Sequence, residues 1–243
     1  MRLVSFDLDL PYIENEENII SIINMKGCER NEATRQDYEE NWKWKRREFA
    51  LQTRCITSFY ERLFGYINTN DCKKLIIKCI PIIHDNAIRK FSGGYYEVVT
   101  QLCYDLFAKL SDYDKKKMSL ELLMTGVRHA AYSQNWDIAP FENTYLKILD
   151  AEYKNEWIWK KSVKSPNKQA IAYVLLQHEV KCIDIYIVIS DKKGNEVFRK
   201  KIMTEVPDEW IYAQHLGEIK WIDDNKVALI NKNNDNNWSV VYH

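Results

Sequence analysis

At 243 residues, 46% of them apolar, the chain suits one large domain or two small ones around a true core, and its composition argues against disorder. Its 35 basic and 35 acidic residues balance, which excludes a nucleic-acid binder that relies on a strongly basic overall surface. No apolar run approaches the roughly 18 residues of a membrane span, and the start MRLVSFDLDLPY lacks a basic segment followed by a long apolar one, so a cytoplasmic protein is expected.

Met1–Leu10 alternates, with Leu3, Ser5, Asp7 and Asp9 on one side and Val4, Phe6, Leu8 and Leu10 on the other. That pattern predicts a strand with one apolar face, ended by Pro11. Asp7 and Asp9 share a face, as the solvated side of an edge strand does more often than a paired-carboxylate site. Glu14–Met25 reads as a short helix with acids at its positive end and Gly27 as its stop. Ala33–Ile67 reads as a long amphipathic helix, broken at most once, because Trp42, Phe49, Ile56 and Leu63 recur every seven residues. Its basic cluster of Lys43, Lys45, Arg46 and Arg47 follows Asp37, Glu39 and Glu40, the spacing of a salt-bridged solvated face.

Lys73–Ile83 fits two readings, an edge strand cut short by Pro81 or a helix. Tyr95–Tyr104 alternates like a strand, and the two runs are expected to pair as a hairpin around the His84–Gly94 loop. Ser111, with Asp114 three residues on, caps a helix whose apolar face holds Leu120, Leu123, Met124, Val127 and Ala131. Gly126 is the weak point of that helix, costing about 1 kcal/mol relative to Ala. Asp137 and Pro140 open another helix. The polar run Ser162–Lys168 marks the expected boundary, giving a mainly helical domain over 1–160 and an antiparallel sheet over 161–243.

The last third predicts short strands at Ala170–Leu176, Ile183–Ser190, Glu196–Met203, Glu209–Tyr212, Glu218–Ile222, Val227–Asn231 and Trp238–Tyr242. Asn, Asp and Gly turns at near-regular intervals make them a β-meander, and the fold class is therefore α+β.

No motif carries chemistry. H-E-x-x-H, G-x-S-x-G and the P-loop pattern are absent, and seven glycines leave little for a phosphate-cradling loop. The six cysteines form no C-x-x-C and read as free thiols. Asp223, Asp224 and Asp235 lie in Asn-rich turns without the spacing of a calcium loop. No catalytic residue, metal or cofactor is expected. Among eight tryptophans, an exposed one or two are candidates for partner contacts.

Ser165-Pro166-Asn167-Lys168, Ile185-Tyr186 and the run IKWIDDNKVALI from Ile219 resemble the β-meander modules of small bacterial cytoplasmic proteins. A helical part joined to such a module resembles the immunity proteins of bacterial polymorphic toxin systems, a likeness that covers about 80 residues. The resemblance implies a non-enzymatic protein that binds and neutralises a cognate toxin domain, such as a nuclease, without contacting nucleic acid or membrane. The expected contact residues are Trp210, Tyr212, Asp223, Asp224 and Asp235, aromatic and acidic groups that suit a basic partner. Two other readings stand beside it: a hydrolase or transferase with catalytic residues scattered along the chain, and a scaffold or adaptor subunit.

Overall fold

A computed structural model describes residues 1–242. The chain is α+β and divides into two compact units, Met1–Tyr153 and the part from Lys154 onward.

The first unit opens with β1 (Arg2–Leu3) and β2 (Ser5–Asp9), then α1 (Glu16–Lys26) and α2 (Arg30–Asp37). Asn15 caps α1, and Gly27 closes it in the left-handed region at φ 62°. A π-helical turn, Tyr38–Trp42, separates α2 from α3 (Lys43–Phe64), one interruption where the sequence allows at most one. Next come β3 (Ile67–Asn68), β4 (Lys74–Ile80), β5 (Arg89–Phe91) and β6 (Tyr95–Gln101). The helices α4 (Tyr104–Ala108), α5 (Asp112–Gln134) and α6 (Ala139–Asp150) complete it. Ser111 caps α5 as its sequence predicts, accepting the Asp114 N–H at 3.1 Å.

Lys73–Ile83 resolves as a strand that stops before Pro81, and it lies inside the sheet, which runs in the order β2-β4-β6-β5. The expected hairpin between β4 and β6 does not form. They pair in parallel from Lys74↔Tyr95 to Ile80↔Gln101, as β2 and β4 do from Ser5↔Lys74 to Asp9↔Lys78. The loop after Pro81 carries the chain back along the sheet, and its short β5 makes the antiparallel partner of β6 instead. Alternation alone reports which side chains share a face, and it is blind to strand direction.

One face of this sheet is dry. Phe6, Leu8, Leu75, Ile77, Tyr96 and Val98 are buried there. Phe6 meets Tyr60 and Phe64 edge-on, with ring centroids at 5.1 and 5.2 Å, and Phe64 stacks on Phe141 at 4.8 Å. The Tyr60 hydroxyl, inside this cluster, donates to the Phe141 carbonyl at 3.2 Å. Gly126 of α5 is there for contact: a Cβ would fall 2.4 Å from Cγ1 of Ile77. The helix lies so close to the sheet that only a hydrogen fits.

The second unit contains β7 (Glu156–Lys164), β8 (Ala170–His178), β9 (Ile183–Asp191) and β10 (Glu196–Glu205), an antiparallel meander in sequence order. A short helix α7 (Glu209–Tyr212) follows, then the antiparallel sheet of β11 (Glu218–Trp221), β12 (Lys226–Ile230) and β13 (Asn237–Val241). The two sheets share one core, built from alternate residues such as Val174, Leu176, Ile185, Ile187, Val227 and Leu229.

Two expectations need correction here. Glu209–Tyr212 is a helical turn and not a strand, because Asp208 caps it by accepting the Trp210 N–H at 3.0 Å. Ser162–Lys168 is not a junction. β7 crosses the expected boundary, with Trp157 and Trp159 packed on the core of the second unit. Ser165 is buried in the β7–β8 turn, where its Oγ accepts the N–H groups of Gln169 at 3.1 Å and Ala170 at 3.0 Å. The Ser-Pro-Asn run is therefore hairpin chemistry and not a linker.

Candidate functional site

Trp210 is 93% exposed, the most exposed of the large apolar side chains. Its helical turn is anchored two residues later by Tyr212, which is 6% exposed and belongs to the core. Tyr212 is thus a support beneath the surface and not a contact residue, contrary to the expectation from sequence. Residues two apart on a helical turn lie on nearly opposite sides of it, so with Tyr212 turned inward Trp210 is turned outward.

The three acids do not join Trp210 in a single patch. Asp223 and Asp224 occupy the β11–β12 turn, where Asp223 accepts the Asn225 N–H at 2.8 Å and Asp224 accepts the Asn167 N–H at 2.9 Å. Asp235 lies in the β12–β13 turn and accepts from Asn231 Nδ2 at 2.6 Å. The five residues of β12 separate those turns, a span of roughly 17 Å. The Asp235 turn lies at the same end as the segment after Trp210, since the Lys232 N–H bonds the Gln214 carbonyl at 2.9 Å. Trp210 and Asp235 therefore share one end of the unit, and Asp223 and Asp224 mark the opposite one.

The acids nearest Trp210 along the chain fall outside the set expected from sequence. The segment Glu205–Tyr212 contains Glu205, Asp208 and Glu209 and no lysine or arginine. The signal is the run EVPDEWIY, in which Asp208 is placed to cap a turn that begins at Glu209.

The first unit presents a second polar surface, the face of the sheet opposite its dry side. Asp7 and Asp9 stand there, and they are not a carboxylate pair in the catalytic sense, because each has its own cation. Lys74 pairs with Asp7. Asp9 receives two hydrogen bonds from Arg46 of α3, at 2.8 and 3.1 Å, and one from Lys78 Nζ at 2.7 Å. Lys78 also lies 3.3 Å from Glu97. Burial alone would raise the Asp9 carboxyl, but the bonds from Arg46 and Lys78 outweigh it and hold the pKa below its ordinary value. These are locked pairs, so they position the strands and present little unmatched charge.

The basic cluster at the start of α3 is occupied in the same way. Lys43 pairs with Glu39 at 2.6 Å, Arg46 is held by Asp9, and Lys45 lies over the rings of Trp42 and Trp44 at 5.3 and 5.7 Å. Cys79 is buried on the dry side of the sheet, and His84 lines the cleft on its opposite side. Among the described residues no group of three His, Cys, Asp or Glu side chains is placed to hold a metal ion, and no helix is long and apolar enough to cross a membrane.

Comparison with protein-family models, with curated proteins and with solved structures finds no match to this chain.

Proposed function

We propose that this chain works by binding another protein, as an immunity protein that occludes a bacterial toxin domain. The observation that carries the reading is Trp210, a 93% exposed indole on a turn whose next turn of chain is locked into the core. Water does not favour an exposed indole, and tryptophan is the residue most enriched at the energetic centres of protein interfaces. The turn beneath it is held by the Asp208 cap and by Tyr212 in the core, and such preorganisation lowers the entropy lost on association. Glu205, Asp208, Glu209 and Asp235 lie toward that end of the unit, together with Lys232 and with His215, which is 3.8 Å from Glu205. Acidic groups around an aromatic anchor suit a basic partner, and nucleases are basic where they hold phosphate. The reading keeps Trp210 and Asp235 from the sequence-based set and moves the centre away from Asp223 and Asp224.

The test is co-expression with the toxin domain encoded next to this gene, followed by co-purification and a growth-rescue assay. Trp210→Ala is expected to leave folding stability within about 0.5 kcal/mol of the parent and to weaken the complex by about 2 kcal/mol or more. Tyr212→Ala is expected to do the reverse first, lowering stability by about 3 kcal/mol. Full rescue by Trp210→Ala, with unchanged affinity, would remove the proposed centre. Failure of the parent chain to bind or rescue against any neighbouring toxin domain would remove the proposed class.

A further inference from the structure

Open parallel sheets tend to hold ligands in crevices beyond the carboxyl ends of their strands, because the connections there part to either side. The first unit has three parallel strands, and a cleft of about 500 Å³ opens at that end. The volume suits a small molecule. Its floor is apolar, with Ile80 from the end of β4 and Val99 from β6. Four charged side chains line it: Lys78 and Arg89, Asp85 and Glu97.

The four are not equivalent. Lys78 and Glu97 are engaged, since Lys78 Nζ lies 2.7 Å from Asp9 and 3.3 Å from Glu97. Arg89 stands directly across the β5–β6 ladder from Glu97, yet it makes no ion pair with any described residue. Asp85 is fixed by a single bond, its Oδ1 accepting the Ala87 N–H at 2.9 Å, which leaves its other oxygen unoccupied among the described residues. The cleft therefore offers one uncommitted guanidinium, one carboxylate with a spare oxygen, and an apolar floor.

We propose that this cleft binds a free amino acid with an apolar side chain. The ligand carboxylate meets Arg89, where a guanidinium accepts a planar bidentate partner. The ammonium meets Asp85. The side chain covers Ile80 and Val99. A simple anion at Arg89 would leave Asp85 unmatched, and a simple cation at Asp85 would leave Arg89 unmatched, so neither satisfies both uncommitted groups. A zwitterion matches both.

The experiment is a calorimetric titration of the full-length chain with L-leucine and L-phenylalanine. Two analogues accompany them: L-leucinol, which lacks the carboxylate, and 4-methylpentanoate, which lacks the ammonium. Saturable binding of at least one amino acid is expected below about 10 mM, with each analogue of leucine at least tenfold weaker. Arg89→Gln and Asp85→Asn are each expected to weaken binding about tenfold, while Lys200→Gln on β10 leaves it unchanged. Arg89 and Asp85 are both exposed, so melting temperatures of all three variants should match the parent. No binding of either amino acid at about 10 mM, equal affinity for the analogues, or binding indifferent to both cleft variants would each overturn the proposal.

Discussion

Arg46 holds Asp9 through two hydrogen bonds, Nε to Oδ1 at 2.8 Å and Nη2 to Oδ2 at 3.1 Å, across 37 positions of sequence. The pair ties the first turns of α3 to the carboxyl end of β2, and Lys78 extends the tie to β4. A fork-to-fork contact fixes angle as well as distance, so it sets how the helix lies along the edge of the sheet.

Asp9→Asn should therefore destabilise the fold by about 2 kcal/mol at neutral pH. The loss is moderate because Arg46 and Lys78 are both partly solvated and water takes over. The folded pKa of Asp9 is depressed, so its contribution is whole above the unfolded value, near pH 4, and is lost as pH falls through the folded pKa. Urea denaturation should show the gap between parent and variant closing below about pH 4. A gap that persists unchanged at lower pH would mean the charge is not what matters.

Asp37 is 1% exposed at the end of α2, and the groups converging on it close the N-terminal helices around the chain after β2. Tyr12 donates its hydroxyl, Asn18 and Asn41 donate amide hydrogens at 2.7 and 3.0 Å, and the Asn15 N–H lies at 3.4 Å. Burial and the bond to Asp37 push the Tyr12 phenol above its ordinary range. Asp37→Ala should cost about 1–2 kcal/mol, since it removes the buried acceptor that four partly exposed donors share, and water can reach those donors in its place. Spectrophotometric titration should show one tyrosine ionising at lower pH in that variant.

Gly126→Ala tests the approach of α5 to the sheet. In an open helix the change would gain up to about 1 kcal/mol of helix propensity. Here the new methyl would fall 2.4 Å and 2.9 Å from two carbons of Ile77 and 3.1 Å from Val98 Cγ2, so the helix must shift. A net loss of about 1–3 kcal/mol in thermal or urea denaturation is expected. A gain would mean that the helix sits farther from β4 than described.

The thiols should react in an order set by exposure and charge state. Cys103 is exposed, while Cys55, Cys72 and Cys79 are buried. Burial pushes the Cys72 thiol up to about 12 and raises Cys79 as well, so both stay protonated and inert near neutral pH. Under native conditions Cys103 should be alkylated first, and all six cysteines should titrate after anaerobic unfolding without reductant. Early modification of Cys79 would show that the sheet opens far more readily than its packing implies.

Much of the fold was legible because it rests on local chemistry. Gly27 and Ser111 end and begin helices as their types dictate, and the polar turns of the second unit fall where Asp191, Asp223 and Asn231 organise them. What was illegible is direction and depth. Nothing in Leu75, Ile77 and Cys79 distinguishes a parallel neighbour from an antiparallel one, so their alternation fits a β4–β6 hairpin as well as the parallel pair that forms. The polar Ser162–Lys168 run read as a linker because the burial of Ser165 is a tertiary fact. Trp210 and Tyr212 look alike in sequence and have opposite fates, since a capped turn rotates them to different sides. The cleft charges come from positions 78 to 97, which only the parallel crossover gathers.

The parallel pairing of β2 with β4 also sets a clock. Asp9 and Lys78 are 69 positions apart, so on the ribosome β2 emerges and then waits roughly 3–14 s for its neighbour to be made. Throughout that interval it is an unpaired edge. Asp7 and Asp9, ion-paired in the finished sheet, meanwhile place like charges along the orphan strand and discourage the wrong partner. The second unit, whose four-stranded sheet pairs each strand with the next one made, has no such delay. In refolding followed by pulsed hydrogen exchange, amides of β8 and β9 should gain protection before those of β2, and the opposite order would show that the long-range pairing nucleates folding.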